Sequence, residues 1–152
     1  MATLDIAMYA VHLLFAGVWT GSVVFMTVAV LPIAHDGTVN AEPLVPVVGR
    51  LRTVSRASAA VLFLTGGHLA GQFYTVESLT GSTRGYLVIA MLVLWLALAA
   101  LVEIGSGKLV DGFDQKKVRE PARNARPFFL VATAAALLLL IDGGLLAGGF
   151  GV

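Results

Sequence analysis

The sequence predicts an all-α integral membrane protein, a four-helix bundle in the bilayer with both chain termini outside. Three observations lead there. Of 152 residues, 58% are hydrophobic and only 12% charged. A soluble domain carries about 25% charged residues, so too little polar surface remains to coat a water-soluble globule. The charges also divide the chain into four apolar stretches, and nine of the ten Lys and Arg residues fall in two of the three connections between them.

The first helix is expected at about residues 6–33. No Asp, Glu, Lys or Arg occurs between Asp5 and Asp36, and Pro32 is expected to end the helix near the interface. This stretch lacks a basic n-region and is too long for a signal-peptide core, so it reads as a retained span. Residues 34–54, with Pro43 and Pro46, read as an extended connection. The second helix, about 56–76, covers the 20 residues without such charges between Arg56 and Glu77. The third, about 85–104, contains 18 uncharged residues from Gly85 to Val102. Residues 105–126 read as a charged loop, with Asp111-Gly112 as a turn signal. The fourth helix, about 127–149, begins at Pro127 and takes Asp142 with it. A helix crosses the hydrocarbon core in roughly 20 residues, so each stretch can span once. None alternates as a barrel strand does.

Orientation follows from the basic residues. Arg50, Arg52 and Arg56 flank the first connection, and Lys108, Lys116, Lys117, Arg119, Arg123 and Arg126 the third; only Arg84 lies in the second. The positive-inside rule places the first and third connections in the cytoplasm and the chain in the cytoplasmic membrane. The net charge of +1 offers no broad face to nucleic acid. With no cysteine, thiolate metal sites, disulfides and cysteine nucleophiles are excluded. No nucleotide-binding glycine loop, His-Glu-x-x-His pair or nucleophile elbow is present.

Ionisable residues inside a span usually mark function. Three qualify: His12, His68 and Asp142. At a rise of about 1.5 Å per residue, His12 lies roughly 10 Å and His68 roughly 13 Å below the outer boundary. Asp142 lies roughly 24 Å above the inner boundary, also in the outer part. Met91 matches the depth of His12. On the first helix, Met8, His12, Phe15, Trp19 and Met26 share one side; on the second, Thr65, His68, Gln72 and Thr75 form a polar stripe expected to face the interior. Gly17 with Gly21, and Gly66, Gly67 and Gly71, would allow either close helix packing or room for a flat ligand.

Three readings suit this layer. Imidazole and thioether ligate Cu(I), which makes His12 and His68 candidate ligands, Met8 and Met91 additional ligands, and Asp142 an electrostatic helper. Haem b would instead take both histidines axially, with Trp19, Thr65, Gln72 and Trp95 lining the pocket. In the third reading the histidines only tie helices together in a structural or accessory subunit.

The run from His12 through Trp19-Thr-Gly21 to Leu31-Pro32 resembles the first helix of copper-resistance protein D (CopD) domains. Arg52 to Ser58, Leu64-Thr65-Gly66 and Thr83-Arg-Gly85-Tyr86 extend the likeness over most of residues 8–108. The resemblance implies copper handling in the cytoplasmic membrane, beside an extracytoplasmic copper-binding partner. His12 and Trp19 are also similar to HemJ-type membrane proteins, which implies haem b and an electron-transfer partner. Relatives often carry a lysine in the third helix, where Met91 or a neighbour stands here.

Overall fold

A computed structural model describes residues 3–151; residues 1, 2 and 152 lie outside the described residues. The described chain is almost entirely helical, with no strand among the described residues. Helix α1 (Thr3–Phe25) passes through a π-helical turn (Met26–Val30) into α2 (Leu31–Asp36), so the three form one continuous rod. Helix α3 (Ala41–Phe73) follows, then short α4 (Val76–Gly81), α5 (Thr83–Asp114) and α6 (Arg119–Ala147). The first rod, α5 and α6 are each long and apolar enough to cross a membrane. Their outward faces carry large apolar side chains, among them Leu14, Phe25, Val28, Val93, Leu96 and Ile141. So extensive an exposed apolar surface requires lipid rather than water.

Helix α3 packs against both α1 and α5, α6 packs against α5, and α1 and α2 also contact α6. These contacts bring the four rods around one core, in which Trp19, Val23, Leu98, Val102, Leu109 and Phe129 are almost wholly buried. Paired contacts define the directions. Trp19 bonds to Ser55 and His12 to Thr65, which makes α1 and α3 antiparallel. Trp95 with Ala59, and Arg56 with Glu103, do the same for α3 and α5.

The helices outrun the sequence expectation at one end of the bundle. Residues 41–54 were expected to be extended, yet they are the start of α3. Their apolar side is the reason: Ala41, Leu44, Val48, Leu51, Ser55, Ser58, Leu62 and Thr65 are all buried at alternating steps of three and four. Pro43 lies in the first turn, where its missing N–H costs no helical bond, and Pro46 is solvent-facing.

Pro32 likewise does not end its helix. The π turn immediately before it absorbs the lost hydrogen bond, and the rod continues to Asp36. Gly37 then closes α2 in the left-handed conformation, at φ 68°.

Residues 105–126 are not a loop either; only residues 115–118 separate α5 from α6. Asp111-Gly112 is not a turn. A Cβ on Gly112 would collide with the Pro121 ring, so this glycine permits close approach of α5 and α6. The actual reversal is a Schellman closure: Lys117 N–H donates to Gly112 O at 3.0 Å and Lys116 N–H to Phe113 O at 2.8 Å. Lys116 occupies the left-handed position at φ 58°. Gly105 serves the same helix pair, because its bare Cα faces the Phe129 ring.

At the opposite end the helices turn near their expected limits. Thr75, expected in the polar stripe, instead caps α4: its hydroxyl accepts from Ser78 N–H, and Ser78 Oγ accepts from Thr75 N–H. Ser82 caps α5 by accepting from Gly85 N–H at 3.0 Å.

Candidate functional site

Among the described residues, three of the seven buried polar ones lie on α3, the one long helix that falls short as an apolar span, and the others on the first rod, α5 and α6. The inward face of α3 presents Ser55, Ser58 and Thr65, with Arg52 and His68 at the two ends of the stripe. The apolar rods cover that face, so polar groups are turned inward and apolar ones outward.

Thr65 organises the His12 level. Its hydroxyl lies 2.7 Å from Val61 O and 2.8 Å from His12 Nδ1. One arrangement satisfies both contacts: the hydroxyl donates to the carbonyl, and His12 Nδ1–H donates to the hydroxyl oxygen. His12 Nε2 is then the nitrogen with a lone pair, the one able to ligate a metal. Gly66 makes room for this ring. A Cβ there would lie 3.1 Å from His12 Cε1, so the glycine accommodates an imidazole. No heavy atom lies within 4 Å of the Cβ positions of Gly17, Gly21, Gly67 and Gly71.

His68 stands about one turn closer to the α4 end of the bundle, three residues or roughly 4.5 Å along α3 from Thr65. Its Nε2 pairs with Asp5 Oδ1 on α1 at 3.1 Å, with both side chains mostly buried. The two histidines expected to share a depth therefore have different partners at successive levels. Helix α3 ends at Phe73, five residues past His68 and four before Glu77.

Asp142 does not end its helix, which continues to Ala147. It is 6% exposed, and neither carboxylate oxygen has a hydrogen-bond partner. Its neighbour Gly143 faces Met91, whose Cε lies 3.9 Å from the glycine's Cβ position. Met8 and Met91 are half-buried. The antiparallel pairings put His12, Thr65, Met91 and Asp142 at one general level. Among the described residues no three His, Asp or Glu side chains converge as a metal-binding group.

The tryptophans lie deeper. Trp19 is 1% exposed and donates to Ser55 Oγ at 2.8 Å. Trp95, half-buried, donates to Ala59 O at 3.0 Å and tilts against Phe63 at 5.3 Å between ring centroids. Gln72 is exposed, next to the last residue of α3, and does not line the interior.

An ion cluster at the other end of the stripe was not anticipated. Glu103 accepts from Arg56 Nε at 2.7 Å and from Arg52 Nη2 at 3.0 Å. Glu103 lies within α5, one residue past the uncharged run 85–102. Spacing offered a signal: Arg52 and Arg56 are four apart and share a helix face. Their partner lies on another helix, 47 residues beyond Arg56.

No known protein family matches the chain, nor does any curated protein or solved structure.

Proposed function

We propose that the chain is a four-span protein of the cytoplasmic membrane, with both termini outside, that binds or passes copper through a site in the outer leaflet. The observation that carries this reading is Asp142: a carboxylate buried in the core with no protein partner for either oxygen. A buried carboxylate without a donor favours a cation beside it. The nearby donor types select which cation. With no cage of three carboxylate or imidazole groups, the remaining donors are one imidazole nitrogen and thioethers. That set suits Cu(I). His12 Nε2 is the principal ligand, Met91 and Met8 supply sulfur, and Asp142 supplies charge. The His68–Asp5 pair, one level farther out, forms the entrance. The CopD likeness of residues 8–108 agrees with this chemistry, and an extracytoplasmic copper protein would be the partner.

The test is an anaerobic Cu(I) titration of protein purified in mild detergent, together with its absorption spectrum. The expected result is one Cu(I) per chain, bound at least tenfold more weakly by His12→Ala and Met91→Leu, and little changed by His68→Ala. A Soret band with a sharp reduced α-band would replace copper with haem b. Protein without metal or haem, whose His12→Ala variant loses only thermal stability, would leave the structural-subunit reading.

A further inference from the structure

Four side chains carry buried polar atoms that the copper site does not fully use. Ser58 Oγ, Ser106 Oγ, Arg52 Nε and both Asp142 oxygens are inaccessible and have no hydrogen-bond partner. Ser58 and Ser106 are wholly buried, at 0% exposure. Native interiors rarely leave such groups unsatisfied, and where protein supplies no partner, internal water does.

Their placement is ordered. Asp142 lies near the His12–Thr65 level. Ser58 is seven residues along α3 from Thr65, roughly 10 Å. Arg52 follows six residues later, roughly 9 Å, with its Nη2 held by Glu103 on α5. Ser106 lies about one turn beyond Glu103. Leu62 is the only buried apolar α3 residue between Thr65 and Ser58.

We propose that a file of water occupies the bundle from the Asp142–Thr65 level to Arg52, and that the Arg52 guanidinium is the barrier preventing protons from leaking along it. This rests on the four-span topology and not on copper. A fixed guanidinium beside a narrow water file lets water donate and accept while repelling positive charge. The ionisable groups at the ends of the track are His12 and Asp142 at one end and Arg52 with Glu103 at the other; the Asp5–His68 pair lies about one turn outside it, and Arg56, its side chain 63% exposed, reaches Glu103 from the surface. At the inner end two arginines face one glutamate, a net charge of +1. Arg52→Gln brings that cluster to neutrality and removes the Nε donor.

The experiment uses the full chain in copper-free liposomes enclosing a pH-sensitive dye, with a potassium diffusion potential driving protons. Wild type and Arg52→Lys should be as tight as protein-free vesicles. Arg52→Gln should leak at least tenfold faster, and the added Ser58→Leu should close the leak. An Arg52→Gln variant as tight as wild type overturns the proposal. So does a leak that Ser58→Leu leaves unchanged, because that leak follows another route.

If Arg52→Gln does not fold, labelling decides instead. In an Arg52-containing chain, Ser58→Cys should react from the outer side with methylmercury, its thiol losing a proton as the sulfur–mercury bond forms. Ala136→Cys, at an equally buried apolar position, should not. Equal labelling, or none at either position, contradicts a water file reaching Ser58. Loss of copper binding with the tight-then-leaky pattern intact would count against the copper reading alone.

Discussion

At the scale of single residues, two positions around the α5–α6 reversal have opposite requirements. Gly112 is needed for space, since any Cβ meets the Pro121 ring. Gly112→Ala should lower stability by about 1–3 kcal/mol, as overpacking of a close contact does, seen as a reduced melting temperature in detergent. Lys116 is strained instead, holding a side chain at φ 58° where glycine is usual. Lys116→Gly should raise stability by about 1 kcal/mol, the approximate cost of the left-handed conformation. An unchanged melting point would show that Lys116 is compensated by contacts beyond its backbone. The sequence made Asp111-Gly112 look like the turn because Asp-Gly is common in turns. Here the glycine's small size matters, and only the position of the opposing proline reveals it.

At the scale of elements, α3 shows what was legible and what was not. Its second half was visible from the uncharged run 57–76. Its first fourteen residues were hidden behind two prolines, although the three-four alternation Ala41, Leu44, Val48, Leu51 was already in the sequence. Pro43 falls where no helical bond is needed, and the buried side of α3 outweighs the one bond that Pro46 removes. The candidate site was legible to a similar degree. His12, Thr65 and Asp142 do face inward, but the pairing of His68 with Asp5 depends on where α3 ends, which hydropathy resolves poorly. Helix α3 is held to α5 by the Arg52–Glu103–Arg56 cluster. Glu103→Gln should therefore melt lower than wild type in detergent. The effect should be small, because these groups are partly exposed and screened. An unchanged melting temperature would show that packing alone holds the two helices.

At the scale of the whole molecule, apolar side chains form the core and also cover much of the outside, with Ser55, Ser58, Thr65, Ser106 and Asp142 among the polar groups enclosed between them. Composition alone indicated a membrane solvent, but the interior stripe required the packing. The proposed topology puts the α4 end outside and the 115–118 turn inside. Single cysteines at Val76, 81% exposed, and at exposed Gln115 should therefore react with an impermeant maleimide from opposite sides of sealed cells or vesicles. Reaction from the same side would invert or break that topology, and with it the outer position of the His12 level.

The tightness of the two four-residue reversals has a consequence for biogenesis under the proposed four-span topology. Residues 37–40 and 115–118 are all that separate the first rod from α3 and α5 from α6. Four residues give neither partner room to enter the bilayer far from the other. In that topology the chain would insert as two helical hairpins joined through α4. The polar face of α3 would enter already shielded by α1, and it would meet α5 when the second hairpin docks.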